Sequence, residues 1–153
     1  MKRIKQTGLD QVGGKAYHLL KMQAAGLPVP DFAVFAFDFF QKSASSADLE
    51  RMEAAYRSGE LDLFQLSQQL QDWAKEQFAR EDLTAAENWI RQEFSQTDCR
   101  FAVRSSATIE DGKDSSFAGQ FESQLNVSPE GLKEAIQATL LSLYQESALS
   151  YLF

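Results

Sequence analysis

The sequence contains little cysteine, proline or histidine. Among 153 residues there are one cysteine, three prolines and one histidine. A single cysteine, Cys99, excludes an internal disulfide framework and a cysteine-rich metal site. No apolar run approaches the roughly 20 residues of a membrane-spanning helix, so we expect no membrane partner. The one histidine, His18, lies in a helical pattern and is expected to have a structural or exposed role.

Positive charge is also scarce. The chain has 22 acidic and 15 basic residues, for a net charge of −7. Nucleic-acid binding needs a basic face, so we expect no nucleic-acid partner. The first residues, Met-Lys-Arg-Ile-Lys-Gln, are followed by no apolar stretch of the kind that marks a secretory signal, and we therefore expect a cytoplasmic protein. An acidic protein that binds an anion must place its few cations together, which directs attention to basic residues beside glycines.

Hydrophobic spacing predicts an α+β fold with helices packed on a small, mostly antiparallel sheet. A first helix is expected to begin near Gly14 and to end at Gly26, before two prolines. Apolar residues at helical spacing indicate a set of amphipathic helices over residues 48–95. The run FAVFAFDFF (32–40) is expected to begin as a strand and to pass into a helix. RFAVR (100–104) and FESQLNV (121–127) are predicted to form two more strands. A last helix is expected from Pro129 to Leu143.

The stretch VGGK places Gly13 and Gly14 before Lys15 at a predicted helix start. Backbone amides and the helix dipole favour an anion there, and glycine lets a phosphate approach the backbone. Lys15 would add a mobile positive charge. The alternative is a Gly-Gly turn followed by a solvated surface lysine. The stretch is not a Walker A loop, because Ala16 follows the lysine and no glycine occupies the first position of that motif.

The stretch FAVRSSA places Arg104 at the end of an apolar strand. Its planar guanidinium can bind a phosphate with two hydrogen bonds, and the hydroxyls of Ser105, Ser106 and Thr108 are possible additional donors. The alternative is a structural ion pair between Arg104 and one of three nearby carboxylates. These are Glu110, Asp111 and Asp114.

The stretch DSSFAGQFES contains Gly119 within a polar turn. A loop of this kind can close over a phosphate chain with its own backbone amides. A hairpin turn between the two predicted strands would explain the same residues. We expect the loop from Glu110 to Gly119 to be mobile when no ligand is bound, because no apolar side chain anchors it between Glu110 and Phe117.

Taken together, these stretches are more specific than any one of them. VGGKAYHLLKMQAAGLPVPDFAV and VRSSATIEDGKDSSFAGQFESQLNV resemble two motifs of the phosphoenolpyruvate synthase and pyruvate phosphate dikinase family, and LLSLYQESALSY is similar to the helix that follows. The resemblance covers residues 8–40 and 100–151. It implies the first subdomain of an ATP-grasp-type nucleotide-binding domain, with residues 1–153 forming its N-terminal part and the C-terminal part missing.

The resemblance also implies the roles of individual residues. Lys15 and Arg104 become candidate catalytic residues that contact the ATP phosphates, with Gly13 and Gly14 at the same site. The lid over the phosphates would include Ser116, Gly119, Gln120 and Ser123. The family usually has threonine where Ser123 stands, and serine retains the hydroxyl.

The function implied is the ATP-binding portion of a dikinase. Such an enzyme passes a phosphoryl group from ATP through a histidine on another domain to an acceptor such as pyruvate. The expected cofactors are ATP and Mg²⁺, with the metal ligands outside this chain, and the isolated chain is expected to be inactive. The alternative is a non-catalytic nucleotide-binding or regulatory module.

Overall fold

A computed structural model describes residues 9–35, 46–78, 81–94, 99–106 and 122–150 of the chain. The helices are α1 (Leu9–Ala24), α2 (Ser46–Arg57), α3 (Leu63–Phe78), α4 (Glu81–Glu93), α5 (Leu132–Leu141) and α6 (Glu146–Leu149). The strands are β1 (Phe101–Arg104) and β2 (Ser123–Val127), and short 3₁₀ turns cover Pro129–Gly131 and Ser142–Tyr144.

One hydrophobic cluster joins five of the six helices. Leucines at helical spacing on α3 and α4 turn inward and meet apolar residues of α2, α5 and α6, because such spacing places them on one helix face. We call this set the main core cluster. Its members are Met52, Leu66, Leu70, Trp73, Ala74, Leu83, Ala86, Ile90, Leu132, Ile136 and Leu149.

The two strands form an antiparallel ribbon on the edge of this core. Phe101, Val103 and Val127 pack against the main core cluster, and α5 contacts both strands. Ala102 and Arg104 are exposed, as expected for the alternate residues of a strand with one buried face. The prediction of helices on a small antiparallel sheet is therefore confirmed for the part of the chain that the structure describes.

Several predicted elements are confirmed, and one is wrong. Helices over residues 48–95 and the two strands around Phe101 and Val127 are present. Residues 32–35 form no strand. Phe35 instead meets the ring of Trp89 edge-on, at a centroid distance of 5.7 Å, and packs against the main core cluster. The last long helix ends at Leu141, two residues earlier than expected, and continues as a 3₁₀ turn.

The C-terminal end of α1 follows its prediction closely. Gly26 has a φ of 73°, a left-handed conformation in which glycine carries no steric cost. Its amide bonds the carbonyl of Gln23, and the Leu27 amide bonds the carbonyl of Met22 at 3.0 Å. This is a Schellman-type end, so Gly26 stops the helix by satisfying its last carbonyls.

Within the described residues, no helix is long and apolar enough to cross a membrane.

A buried polar contact joins α3 to the 3₁₀ turn before α6. The hydroxyl of Ser67 donates a 2.8 Å hydrogen bond to the backbone carbonyl of Tyr144. It also accepts a 3.0 Å hydrogen bond from the side-chain Nε2 of Gln71. The Tyr144 ring lies edge-on to Trp73, with centroids 6.2 Å apart. Burial raises the pKa of Tyr144 to about 12, because the low-dielectric surroundings disfavour the phenolate.

This raised pKa predicts a loss of stability in alkali. Well below pH 10 the phenol is neutral in both the folded and the unfolded chain, and its contribution to stability is complete. Between pH 10 and about 12 the unfolded chain releases a proton that the folded chain retains. The free energy of unfolding should therefore fall by about 3 kcal/mol between neutral pH and strong alkali.

Denaturant unfolding at increasing pH would measure this loss for the wild type and Tyr144→Phe. In Tyr144→Phe the free energy of unfolding should not show the part of the decrease that comes from this phenol. Tyr17→Phe is the control, because it removes a phenol outside the main core cluster. Parallel stability curves for the wild type and Tyr144→Phe from neutral pH to strong alkali would contradict the prediction.

Candidate functional site

Helix α1 is interrupted at the position where its start was predicted. The element begins at Leu9, but Gly13 has a φ of 70° and a ψ of 169°, a conformation almost restricted to glycine. Regular helical turns therefore resume at Gly14. Gly13 and Gly14 are both buried. The two glycines differ in role, because Gly13 supplies the break and Gly14 opens the helical segment after it.

Two hydrogen bonds connect this helix start to the residues that follow β1. The Lys15 ammonium donates to the backbone carbonyl of Ser105 at 3.3 Å, and the Ala16 amide donates to the Ser106 hydroxyl at 3.0 Å. Ala16 lies in the first turn after the break, where amides have no acceptor within the helix. Ser106 thus acts as an N-terminal cap from 90 residues away in the sequence.

A β-bulge sets the position of Arg104 relative to β2. Phe101 pairs with Val127, but Val103 pairs with Gln124 and Arg104 with Ser123. Two residues, Leu125 and Asn126, therefore lie opposite Ala102. Asn126 adopts a φ of 57°, the left-handed conformation that such a bulge requires. Without the extra residue, Arg104 would lie opposite Gln124.

The bulge brings two predicted site residues together. Directly opposite residues of an antiparallel pair project from the same face, with Cβ atoms about 5 Å apart. Arg104 and Ser123 therefore share the face of the ribbon that points away from the core, and Arg104 is exposed. Lys15 reaches the backbone of the next residue, Ser105. Three predicted cationic or hydroxyl groups thus lie around one end of the ribbon, which we call the Arg104 end.

A carboxylate and two arginines lie at the opposite end of the ribbon. The pKa of Glu130 is lowered by a hydrogen bond from its own backbone amide, by the Ser128 hydroxyl, and by the positive charges of Arg91 and Arg100. Arg104, in contrast, makes no ion pair with any carboxylate in the described segments. The three carboxylates proposed as its structural partners lie outside the described residues, so that alternative stays untested.

The other lid residues are also outside the described residues. Ser116, Gly119 and Gln120 fall there, as does the loop expected to be mobile. Of the eight residues predicted to bind the phosphates, the structure describes Gly13, Gly14, Lys15, Arg104 and Ser123. Within the described segments, no group of three His, Cys, Asp or Glu side chains is arranged to hold a metal ion. No step is therefore assigned to Mg²⁺ on this chain.

Two structural features of the site did not emerge from the sequence. The bulge carries a weak signal, since asparagine is unfavourable within a strand and tolerates the left-handed conformation. Ser106 is a candidate donor to a ligand, and its hydroxyl also accepts a hydrogen bond from the Ala16 amide; a hydroxyl that accepts one hydrogen bond can still donate another. No local pattern marks that contact.

One protein family matches almost the whole chain. Residues 9–153 match the family described as pyruvate phosphate dikinase, AMP/ATP-binding domain. The match therefore includes the Gly13 break, the Arg104 end of the ribbon and all the described helices. The chain belongs to this family.

Full-length relatives are much longer than this chain. It is 33% identical over 162 residues to phosphoenolpyruvate synthase of Neisseria meningitidis and 34% identical over 158 residues to that of Escherichia coli. Each alignment spans 94% or more of this chain but 20% of the relative. Rifampicin phosphotransferase of Streptomyces sviceus is 29% identical over 160 residues, with 99% of this chain and 18% of the relative covered. No solved structure matches the chain.

The bulge yields a prediction about the register at this site. Asn126→Val places a β-branched side chain in a left-handed conformation, and we expect it to lower the free energy of unfolding by about 1–2 kcal/mol. It should also weaken the pairing of Arg104 with Ser123. Asn126→Gly, which adopts the conformation freely, is the matched control and should keep both stability and register.

Thermal melting and cross-strand nuclear Overhauser contacts between Arg104 and Ser123 would measure the two effects. Equal stability and equal cross-strand contacts in the valine and glycine variants would show that Asn126 does not set the register.

Proposed function

We propose that this chain is the ATP-binding portion of an ATP-dependent phosphotransferase, and that the Arg104 end of the ribbon binds the ATP phosphates. The observation that carries the proposal is the grouping of Lys15, Arg104 and Ser123 around that end, in a chain whose residues 9–153 match an AMP/ATP-binding domain. Lys15 and Arg104 are far apart in the sequence, so it is the fold that brings them to the same end of the ribbon.

The two cations would bind the phosphates in different ways. Arg104 offers a planar group of donors that can bind two phosphate oxygens at once, and its place on a strand fixes the backbone from which the side chain extends. Lys15 offers a compact charge on a flexible stem, already directed to the carbonyl of Ser105. Together they would neutralise part of the charge of a triphosphate, and positioning with charge neutralisation is most of what phosphoryl transfer needs.

The helix start adds backbone donors to this site. Gly13 and Gly14 have no side chain to obstruct a phosphate, and the helical segment after Gly13 directs the positive end of its dipole toward the break. Ser123 would contribute a hydroxyl from the neighbouring strand. We propose that Ser116, Gly119 and Gln120 complete the site as a lid.

The finer assignments follow from the family. We propose that residues 1–153 form the N-terminal part of an ATP-grasp-type domain, in a protein that passes a phosphoryl group through a histidine on another domain to an acceptor. Pyruvate is the acceptor we favour, because two of the relatives described above are phosphoenolpyruvate synthases. Mg²⁺ would accompany ATP, with ligands outside the described residues.

Arg104 provides the sharpest test of ATP binding. Arg104→Ala should weaken ATP binding by about tenfold, since it removes charge-assisted hydrogen bonds to phosphate. Arg100→Ala is the matched control, because it removes an exposed arginine just before the same strand, at the opposite end, where its charge acts on Glu130. Calorimetric titration with ATP would measure both affinities, and added salt should weaken wild-type binding by screening the exposed contacts.

Thermal melting of the same variants separates binding from folding. We expect both arginine variants to melt close to the wild type, because both side chains are exposed. Wild-type affinity in Arg104→Ala would contradict the proposed function. A large fall in its melting temperature with ATP affinity retained would establish Arg104 as a structural ion-pair partner.

A further inference from the structure

We infer that Ser106 is a positioning residue for the phosphate site: its hydroxyl fixes the start of α1 against the end of β1 and so sets the distance between Lys15 and Arg104. The inference rests on the proposed function for its consequence in ATP binding. It rests on geometry alone for the structural role. The 3.0 Å hydrogen bond from the Ala16 amide to the Ser106 hydroxyl is the central observation.

Among the described residues, helix α1 contributes none to the main core cluster. Val12 and Ala16 are buried, with 4% and 6% of their surface exposed, yet neither belongs to that cluster. The other five described helices each contribute at least one residue to it. Within the described segments, α1 makes hydrogen bonds to Ser105 and Ser106. These polar contacts hold the start of the helix against the end of β1.

The two contacts differ in how much they restrict the helix. Lys15 has a long side chain whose ammonium can reach an acceptor from several positions, so its bond to the Ser105 carbonyl tolerates movement of the backbone. The Ala16 bond joins a backbone amide to a hydroxyl only one bond from Cβ. It therefore fixes the backbone itself, two residues after Gly14. The hydroxyl of Ser106 is thus the restraint that places Lys15 beside the end of β1.

Neighbouring Ser105 provides a matched control for the hydroxyl. Its hydroxyl oxygen is buried and has no hydrogen-bond partner among the residues that the structure describes, while its backbone carbonyl accepts a hydrogen bond from the Lys15 ammonium. Ser105→Ala consequently removes a serine hydroxyl from the same turn without removing either of the two contacts. Comparing Ser106→Ala with Ser105→Ala therefore separates the loss of the capping hydrogen bond from the general effect of removing a hydroxyl in this turn.

The first test measures hydrogen exchange of the Ala16 amide in the isotope-labelled 153-residue chain. Ser106→Ala should speed this exchange by about fivefold, because the amide loses its acceptor. Ser106→Thr, which retains a hydroxyl, should restore protection, and Ser105→Ala should leave it unchanged. The Leu66 amide, which bonds the Asp62 carbonyl at 2.9 Å at the start of α3, reports on the rest of the fold and should exchange at one rate throughout.

The second test measures ATP affinity by calorimetry in the same variants. Ser106→Ala should bind ATP about fivefold more weakly than the wild type, and Ser106→Thr should recover most of the loss. Wild-type exchange of Ala16 in Ser106→Ala would overturn the cap, and faster exchange with unchanged ATP affinity would overturn its link to the site. ATP binding that is absent from the wild type, or unchanged in Arg104→Ala, would instead overturn the proposed function, and the Ala16 exchange would still decide the cap.

Discussion

The hydrogen bond between the Ala16 amide and the Ser106 hydroxyl joins two parts of the chain that are 90 residues apart. Helix α1 resumes after the break at Gly13, and its first amides need acceptors that the helix cannot supply. A capping hydroxyl typically contributes about 1 kcal/mol. That modest energy has a large geometric consequence, because it holds the Gly13–Lys15 segment against the strand that carries Arg104. The proposed phosphate site exists only while those two segments remain in contact.

The ribbon supplies the other half of the arrangement. Its inner face packs against the main core cluster, so the strands are fixed by apolar burial, and its outer face presents Arg104 opposite Ser123. The bulge at Asn126 makes this pairing possible by shifting β2 one residue along β1. At the other end, Arg91 and Arg100 act on the carboxylate of Glu130, whereas Arg104 makes no ion pair with a carboxylate in the described segments. Apolar burial therefore fixes the inner face of the ribbon, and the predicted phosphate-binding residues lie on its outer face at the Arg104 end.

Much of the architecture could be predicted because its signals are local. Leu66, Leu70 and Trp73 recur at helical spacing, and their burial confirms the helix that carries them. The apolar run before Arg104 predicts β1, and Gly26 marks the end of α1. The prediction of a strand beginning at Phe32 is wrong, since apolar content alone does not supply the neighbouring strand that a ladder needs. In the structure Phe35 is partly buried and its ring contacts that of Trp89.

The site was only partly predictable, for a similar reason. Lys15, Arg104 and Ser123 were identified from residue type and family resemblance, which do not give distances. The Ser106 cap depends on a tertiary contact, and the bulge depends on the pairing register of two strands. Neither property is encoded in a short window of sequence. The expected roles of Ser116, Gly119 and Gln120 stay predictions, because those residues lie outside the described segments.

The most direct test of the account is a map of backbone amide chemical shifts as ATP is added to the chain. If ATP phosphates bind at the Arg104 end, the largest changes should fall on two described segments: residues 13–16 and 104–106. Ser123 should follow them, while amides near Glu130 at the opposite end should remain unchanged. Saturable changes concentrated around Glu130 and Arg100, with none at Lys15 or Arg104, would contradict the central claim.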